Sequence, residues 1–391
     1  MQKKTILMVH NFYQIGGGEH TVFENEVSLL RNHGHKVIVY TRSNNELKKS
    51  KLKLLLLPLS MIWSFKTYRE VKRIIIDENI DIVHCQNTFL LISPSVYYAA
   101  RRLKIPVIQT IHNFRFLCPA GVFYRNGDIC EECNNNNSFK EAIKNKCYKN
   151  SILYTFLVSF MLKFHRLIGT YNKISYIFLT TFNRDKFNTL INTNLNNVYI
   201  KPNFVNLAKG DVLKGNKELK FIFAGRLEKN KGIIFLLDVW KELSNDFQLH
   251  IYGDGTQKDK VEKAVECNNN IHYFGFKSQK EIFEDLASSN GLLFPSNLYE
   301  GYPMIIAECF SIGVPVISTN IGNQKIIIES SNGGTLFEYG DNESFKKALE
   351  SAIVNYKFFS ENAKKYYHEY LGAEYNYKEL VNIYEKAKHI D

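Results

Sequence analysis

Short apolar runs alternate with helix-period stretches twice along this chain of 391 residues, and that repetition constrains the fold more than any other feature. Runs at residues 5–10, 36–41, 81–84, 107–111 and 176–179 predict strands in the first half. Between the first two, Phe23, Val27 and Leu30 keep helical spacing, and Gly34 can end that helix. Runs at 219–224, 248–252, 271–274, 291–294 and 314–318 repeat the pattern in the second half. Short buried strands separated by helices imply a parallel sheet covered on both faces. The expected fold class is α/β, with two Rossmann-like doubly wound domains facing across a cleft. Such sheets bind ligands at the carboxyl ends of their strands.

The length agrees with two cores rather than one. The stretch Ile200-Lys201-Pro202-Asn203-Phe204-Val205, followed by polar residues, reads as the hinge. The expected domains are 1–203, with a cysteine-rich insertion at about 116–150, and 204–372. A last helix in 373–391 has no strand after it and is expected to pack back on the first domain.

Charge is unevenly spread. Residues 1–200 carry 27 Lys and Arg against 13 Asp and Glu, whereas the remainder carries 23 against 26. A basic half suggests an anionic partner such as a diphosphate or an anionic membrane surface. No nucleic-acid-binding motif is present, so nucleic acid is not an expected partner. Met1-Gln2-Lys3-Lys4 runs directly into the first apolar run, without a signal peptide. No apolar stretch reaches the ~18 residues of a spanning helix. The expected location is cytoplasmic, at most peripheral to the inner face of the cell membrane.

The chemistry-bearing residues fall at strand-to-helix junctions. Glu300 and Glu308 lie eight positions apart, with Pro303 between them suited to a first helical turn. The backbone N–H groups of Gly301 and Met304 would then face a ligand at the positive end of a helix. That arrangement suits a phosphorylated sugar, with N–H groups for phosphate and carboxylates for hydroxyls. Arg226 and Lys231, after the 219–224 run, can bring two cations to one anion, as a departing diphosphate requires. Gly16, Gly17 and Gly18 form a helix-entry loop that lets backbone approach a ligand. This is not the dinucleotide fingerprint, because Thr21 stands where its last glycine should be. His112 and Arg115 follow the 107–111 strand, and His84 ends another. Gly253-Asp254-Gly255 and Phe274-Gly275-Phe276 close two strands of the second half.

Together these motifs resemble the retaining glycosyltransferase family 4, whose E-x7-E signature matches Glu300 and Glu308, and the likeness runs over nearly the whole chain. The resemblance implies the GT-B architecture and transfer of a sugar from a nucleotide-diphosphate sugar to a glycan acceptor. It implies that Arg226 and Lys231 grip the donor diphosphate, Glu300 holds the sugar and Glu308 the ribose. It places His112 against the donor sugar near the reacting carbon, and Gly16–Gly18 over the donor phosphate near the acceptor. No D-x-D occurs in the chain, in keeping with the family's metal-independent chemistry. One departure follows Gly322: Asn323-Gln324-Lys325 stand where many relatives have a second glycine and an acidic residue. A nucleotide-sugar epimerase on the same fold, or a non-catalytic nucleotide-sugar-binding scaffold, are the alternatives.

Two segments add expectations. Cys118, Cys130, Cys133 and Cys147 follow the pattern C-x11-C-x2-C-x13-C, which suggests a structural zinc held by four thiolates, with scattered reduced thiols as the other reading. The insertion resembles a capsule and surface-polysaccharide branch of the family. Residues 148–171 combine Leu153, Phe156, Leu157, Phe160, Met161 and Phe164 with Lys149, Lys163 and Arg166. This pattern suits either membrane-surface contact near a lipid-diphosphate-linked acceptor or a core helix. The segment at 51–57 raises the same pair of readings.

Overall fold

The computed structural model describes residues 2–14, 17–47, 57–192, 197–206 and 219–390. It comprises two compact units. The first contains Met1–Phe123, Glu131–Asn203 and Asn376–Asp391, and the second contains Tyr124–Cys130 and Phe204–Tyr375.

In chain order the strands of the first half are β1 (Thr5–Phe12), β2 (Lys36–Ser43), β3 (Ile82–Asn87), β4 (Val107–Ile111), the two-residue pair β5 (Tyr124–Arg125) and β6 (Asp128–Ile129), β7 (Ser175–Phe178) and β8 (Val198–Ile200). The first unit's sheet has the order β2-β1-β3-β4-β7-β8, with every pairing parallel. Strand order reverses between β1 and β3, so loops leaving these two strands diverge and open a crevice. The helix Gly18–Asn32 starts from an extended Gly17 and buries Val22, Phe23, Val27, Leu29 and Leu30 against the sheet.

The second unit continues with β9 (Leu219–Ala224), β10 (Phe247–Tyr252), β11 (Ile271–Gly275), β12 (Gly291–Phe294), β13 (Val316–Thr319) and β14 (Gly334–Phe337). Its all-parallel order is β11-β10-β9-β12-β13-β14, which puts the switch point between β9 and β12. One face is covered by the cluster around Trp240, Leu236, Phe345 and Leu349, and the other by that around Ile306, Phe310, Val314 and Tyr367. The run expected at 314–318 begins two residues later, because Pro315 has no N–H for the ladder and gives only its carbonyl to Leu292. Strands β8 and β14 are absent from the sequence reading. β8 has three residues, and β14 opens on Gly334-Thr335, which leaves it only two apolar residues.

The helix Ala373–Lys386 buries Asn376, Tyr377, Leu380, Val381, Ile383 and Tyr384, and from Asn376 onward it belongs to the first unit. Tyr377 stacks on His33 and its hydroxyl meets His35 Nε2 at 3.1 Å. Deeper in this unit, Lys201 Nζ lies 2.7 Å from Glu26 Oε1, with side-chain exposures of 0% and 1%. Lys201 also donates to Asn376 Oδ1 at 2.8 Å, and Asn376 Nδ2 donates to the Pro202 carbonyl at 2.7 Å. Two opposite charges removed from water survive only when paired and hydrogen-bonded, so loss of one partner is far worse than loss of both.

Lys201→Met is therefore expected to destabilise the first unit by ~3–5 kcal/mol, and Glu26→Gln/Lys201→Met by much less. Trp63 lies in the first unit and Trp240 in the second. Urea unfolding followed by fluorescence in a Trp240→Phe background therefore reads the first unit alone. Equal losses in the single and double variants would contradict this account.

Candidate active site

The second unit gathers its candidates at the β9/β12 switch point. Arg226 leaves the end of β9 with an exposed guanidinium that makes no ion pair or hydrogen bond among the described residues. Lys231 closes a short turn before the helix Ile233–Trp240, and its Nζ lies 2.6 Å from Glu300 Oε1. Ser296 Oγ donates to the same Glu300 oxygen at 2.6 Å. Gly232, with φ of 77°, lets the Lys231 turn lie against the end of β12: a Cβ there would fall 1.9 Å from the Pro295 carbonyl oxygen. Asn297 N donates to the Asn230 carbonyl at 2.9 Å and completes the contact.

The helix following Glu300 runs Met304–Ile312, and Pro303 is its extended N-cap rather than its first helical residue. Glu308 is consequently one turn inside, and no side chain caps the helix. Ile306 N bonds the Pro303 carbonyl at 3.0 Å, which leaves the N–H groups of Met304 and Ile305 to face an anion. Glu308 Oε1 accepts from Gln279 Nε2 at 2.6 Å. Burial, only partly offset by Gln279, raises the Glu308 pKa to about 7.

The departure after Gly322 has a structural use that sequence reading missed. Asn323 Nδ2 donates to the carbonyls of Glu300 and Gly301, the latter at 2.7 Å. Gln324 Nε2 donates to the carbonyls of Leu298 at 3.1 Å and Ser296 at 3.3 Å. Both side chains are fully buried, and they fasten the loop that carries Glu300. The only hint in the sequence was two amides following a β-strand, which does not reveal what they hold.

Gly253-Asp254-Gly255 follows the end of β10. The close approach at Gly253, where φ is 132°, is to backbone: an added Cβ would fall 1.8 Å from the Gly225 oxygen. Gly225 N donates to the Tyr252 carbonyl at 3.1 Å, and Gly253 N to the Gly275 carbonyl at 2.9 Å. Beyond them Phe274 stacks on Tyr252 with ring centroids 5.0 Å apart, and Phe276 is 82% exposed.

In the first unit, Gly17 is the N-cap of the first helix, Gly18 is its first residue, and Gly16 lies outside the described residues. Glu19 follows; burial raises its carboxyl pKa to about 8 despite Asn113 and Arg115 nearby. His112 stands just past β4, with Nε2 bonded to Gln86 Oε1. Burial pushes its pKa down to about 3, with Glu26 opposing and Lys201 and His84 assisting. His112, Asn113, Arg115, Asn87, Thr88 and Phe89 line one cavity. Arg115 lies over the Phe89 ring at 4.3 Å and donates to the Pro119 carbonyl at 2.5 Å, and among the described residues no carboxylate is its hydrogen-bond partner. His84 is not aimed at a ligand: it is fully buried, with Nδ1 at 2.7 Å from Tyr384 OH and Nε2 at 2.7 Å from Thr110 Oγ1.

Among the described residues no group of three or more His, Cys, Asp or Glu side chains is placed to hold a metal ion. Cys133 is buried in an apolar cluster with Phe89, Phe139 and Met161, with Cys147 packed against it. Cys118 is in the turn after Phe114, and Cys130 belongs to the stretch grouped with the second unit. Cysteine here packs as a small apolar side chain, a role that the C-x2-C spacing does not distinguish from ligation.

The 148–171 segment contains the helix Ile152–Leu167, which is apolar on two faces. Val158, Met161 and Leu162 enter the core, while Leu153, Phe156 and Phe160 are 63%, 48% and 48% exposed. Phe156, Phe160 and Phe164 form an exposed ladder of stacked rings, and Leu59 and Phe65 are exposed as well. No described helix is long and apolar enough to cross a membrane. Residues 51–56 lie outside the described residues.

Comparison with known proteins gives the class. Residues 206–369 match the family "Glycosyl transferases group 1", and residues 15–129 match "Glycosyltransferase Family 4". The glycosyltransferase of Rickettsia africae ESF-5 superposes with a TM-score of 0.70 over 99% of each chain at 17% identity. HepE of Anabaena in complex with UDP gives 0.66 at 13% identity, over 97% of this chain and 98% of that one. These likenesses define a GT-B fold. The chain has the GT-B fold, with a region that matches the family 4 model followed by one that matches the group 1 model. A UDP-Gal:alpha-D-GlcNAc-diphosphoundecaprenol alpha-1,3-galactosyltransferase of Escherichia coli is 26% identical over 74% of this chain and 71% of its own. An uncharacterized 41.2 kDa protein in the cps region of Klebsiella pneumoniae is 26% identical over 43% of this chain and 45% of its own. The chain spans less than half the length of most of the curated relatives it matches.

The Glu308 environment generates a pH-dependent stability. Its folded pKa of about 7 exceeds the ordinary value of 4.5, so the folded state binds the proton more tightly. Stability therefore falls as pH rises from 4.5 to 7, by no more than about 3 kcal/mol. Glu308→Gln should raise the melting temperature relative to wild type at pH 8 and leave it unchanged near pH 4.5. A difference that is independent of pH would contradict the buried-carboxyl account.

Proposed function

We propose that this protein is a retaining glycosyltransferase, moving a sugar from a nucleotide-diphosphate sugar to a lipid-linked glycan in bacterial surface-polysaccharide assembly. The observation that carries this reading is the meeting of Lys231 and Glu300 at the β9/β12 switch point, beside unpartnered Arg226 and an uncapped helix N-terminus. The Lys231 ammonium has three N–H groups, so it can keep Glu300 and still donate to a phosphate oxygen. A relative named for a diphosphoundecaprenol acceptor, and a neighbouring structure holding UDP, support the acceptor and donor classes.

In this reading the donor diphosphate sits between Arg226, Lys231 and the N–H groups of Gly301 and Met304. Charge that builds on the diphosphate as the anomeric C–O bond breaks meets fixed cations and dipoles, which need no reorganisation. Glu300 holds the sugar hydroxyls, with its loop pinned by Asn323 and Gln324, and Glu308 holds the ribose. The acceptor hydroxyl attacks from the face the diphosphate leaves, so the new C–O bond keeps the anomeric configuration. Its proton passes to a leaving-group oxygen. His112 lies on the reacting face. The first unit, with the glycine loop and the His112 cavity, takes the acceptor. Cations of the protein neutralise the diphosphate, and no cofactor is required.

The exposed Phe156–Phe160–Phe164 ladder, with Lys163 beside it, fits the surface of an anionic bilayer, where a lipid-linked acceptor would be met at the cytoplasmic face.

A panel of UDP-, GDP-, TDP- and ADP-sugars read by thermal stabilisation should pick out one nucleotide class for wild type, with a weaker response in Arg226→Ala. Transfer by Arg226→Ala to a polyprenyl-diphosphate glycan should fall by about 10²–10³-fold in kcat/KM. Stabilisation by no donor, or full activity in the variant, would remove the diphosphate site. Phe156→Ser/Phe160→Ser should cut sedimentation with anionic liposomes by about tenfold or more. Binding equal to wild type would exclude this helix as the contact.

A further inference from the structure

The polar groups buried in the first unit form one chain of hydrogen bonds from Lys201 to His112, and each link dictates the orientation of the next. Lys201 Nζ lies 2.7 Å from Glu26 Oε1. The other Glu26 oxygen, Oε2, meets the side-chain amide of Gln86. The opposite end of that amide meets Nε2 of His112. These residues come from four places: the first helix, β3, the end of β4, and the segment where the chain leaves the first unit. Asn376, on Lys201, stands where the chain returns to that unit.

Glu26 is ionised. Burial alone would raise its pKa, but the charge of Lys201, followed by His84 and the Lys201 hydrogen bond, outweighs burial and the net direction is down. An ionised carboxylate only accepts hydrogen bonds. The Gln86 atom facing it must then be the NH2 group, whose nitrogen also lies 3.5 Å from His84 Nε2. The Gln86 carbonyl oxygen is left to face His112. That oxygen also only accepts, so His112 Nε2 must carry a hydrogen. The charged and titratable groups near His112 are Glu26, Lys201, His84 and His10. Burial, Lys201 and His84 all disfavour a second proton, and Glu26 alone favours one. His112 Nδ1 makes no hydrogen bond among the described residues, and the residue lines the cavity shared with Asn87, Thr88 and Asn113.

We infer that the Lys201–Glu26 pair, acting through the Gln86 amide, holds His112 as the neutral Nε2–H tautomer and presents the Nδ1 lone pair to a bound hydroxyl. Glu26, Lys201 and Gln86 are thus positioning residues, and the tie to a hydroxyl rests on the reading of His112 proposed above. The arrangement also fastens both chain crossings of the first unit, at Lys201 and Asn376, to the strand end that bears His112.

The test is the nitrogen spectrum of ¹⁵N-histidine-labelled protein without substrate, at pH 6 to 8, with His112 assigned by its loss in His112→Gln. A protonated Nε2 beside an unprotonated Nδ1 is expected across this range. An Nδ1–H or doubly protonated His112 would overturn the inference. In Glu26→Gln/Lys201→Met the residue at 26 offers both donor and acceptor, so the Gln86 amide is no longer forced to one orientation. The Nδ1–H form should then appear, as it should in Gln86→Leu, which removes the link without removing a charge. An unchanged single Nε2–H pattern in both variants would show that the pair does not set the tautomer. Because no substrate is present, the two readings separate cleanly. A wild type with the expected tautomer but no sugar transfer loses only the proposed reaction, and sugar transfer with an Nδ1–H His112 loses only this inference.

Discussion

A parallel strand cannot be joined to its neighbour by a tight turn. Every connection must cross a face of the sheet, and every strand must end on the same edge as the others. This requirement organises both units. It makes the strands apolar on both faces, brings each loop with chemistry to one edge, and opens that edge where strand order reverses. In the first unit the reversal lies between β1 and β3, and in the second between β9 and β12. Gly17, Asn87 and Thr88 belong to one such edge, and Arg226, Lys231 and Glu300 to the other.

Loops held only by their own backbone would not keep charged groups in register. Both edges solve this with buried amides. Asn323 and Gln324 reach across from the start of a neighbouring helix to bind carbonyls of the Glu300 loop. Gln86 links Glu26 to His112, and Asn376 completes the partners of Lys201. An amide supplies a donor and an acceptor at fixed separation without net charge. It can therefore be buried at lower cost than an ion, provided both ends are satisfied. The buried ion pair of Lys201 with Glu26 is acceptable because Lys201 also donates to Asn376 and Glu26 also accepts from Gln86.

What the sequence revealed depended on period and spacing. Ten strands of the two parallel sheets were legible because they are apolar runs bounded by helix-period stretches. β8 and β14 were not, since β8 has three residues and the Gly334-Thr335 start of β14 leaves it only two apolar residues. Glu300, Glu308, Arg226 and Lys231 were legible as charged residues at junctions, where a helix start gives them a use. The buried pair left a fainter signal. Glu26 interrupts the apolar stripe of Phe23, Val27 and Leu30, and a charge on a buried face demands a partner, but nothing local identifies Lys201, 175 positions away. The cysteines show the converse: the C-x2-C spacing suits ligation and packing alike, and among the described residues no ligand set of three or more is gathered.

By itself, then, the sequence determined the α/β class, the alternation of elements, and which junctions bear carboxylates, cations and glycines. These depend on interactions between residues within a few turns of one another, so they are written in local periodicity. Only the tertiary structure decided that Lys231 would meet Glu300, that Asn323 and Gln324 would hold the loop between them, and that Glu26 would be paired by Lys201. Those contacts join residues distant in the chain. Their energies arise from desolvation, which is defined only once the surrounding surface has closed over them.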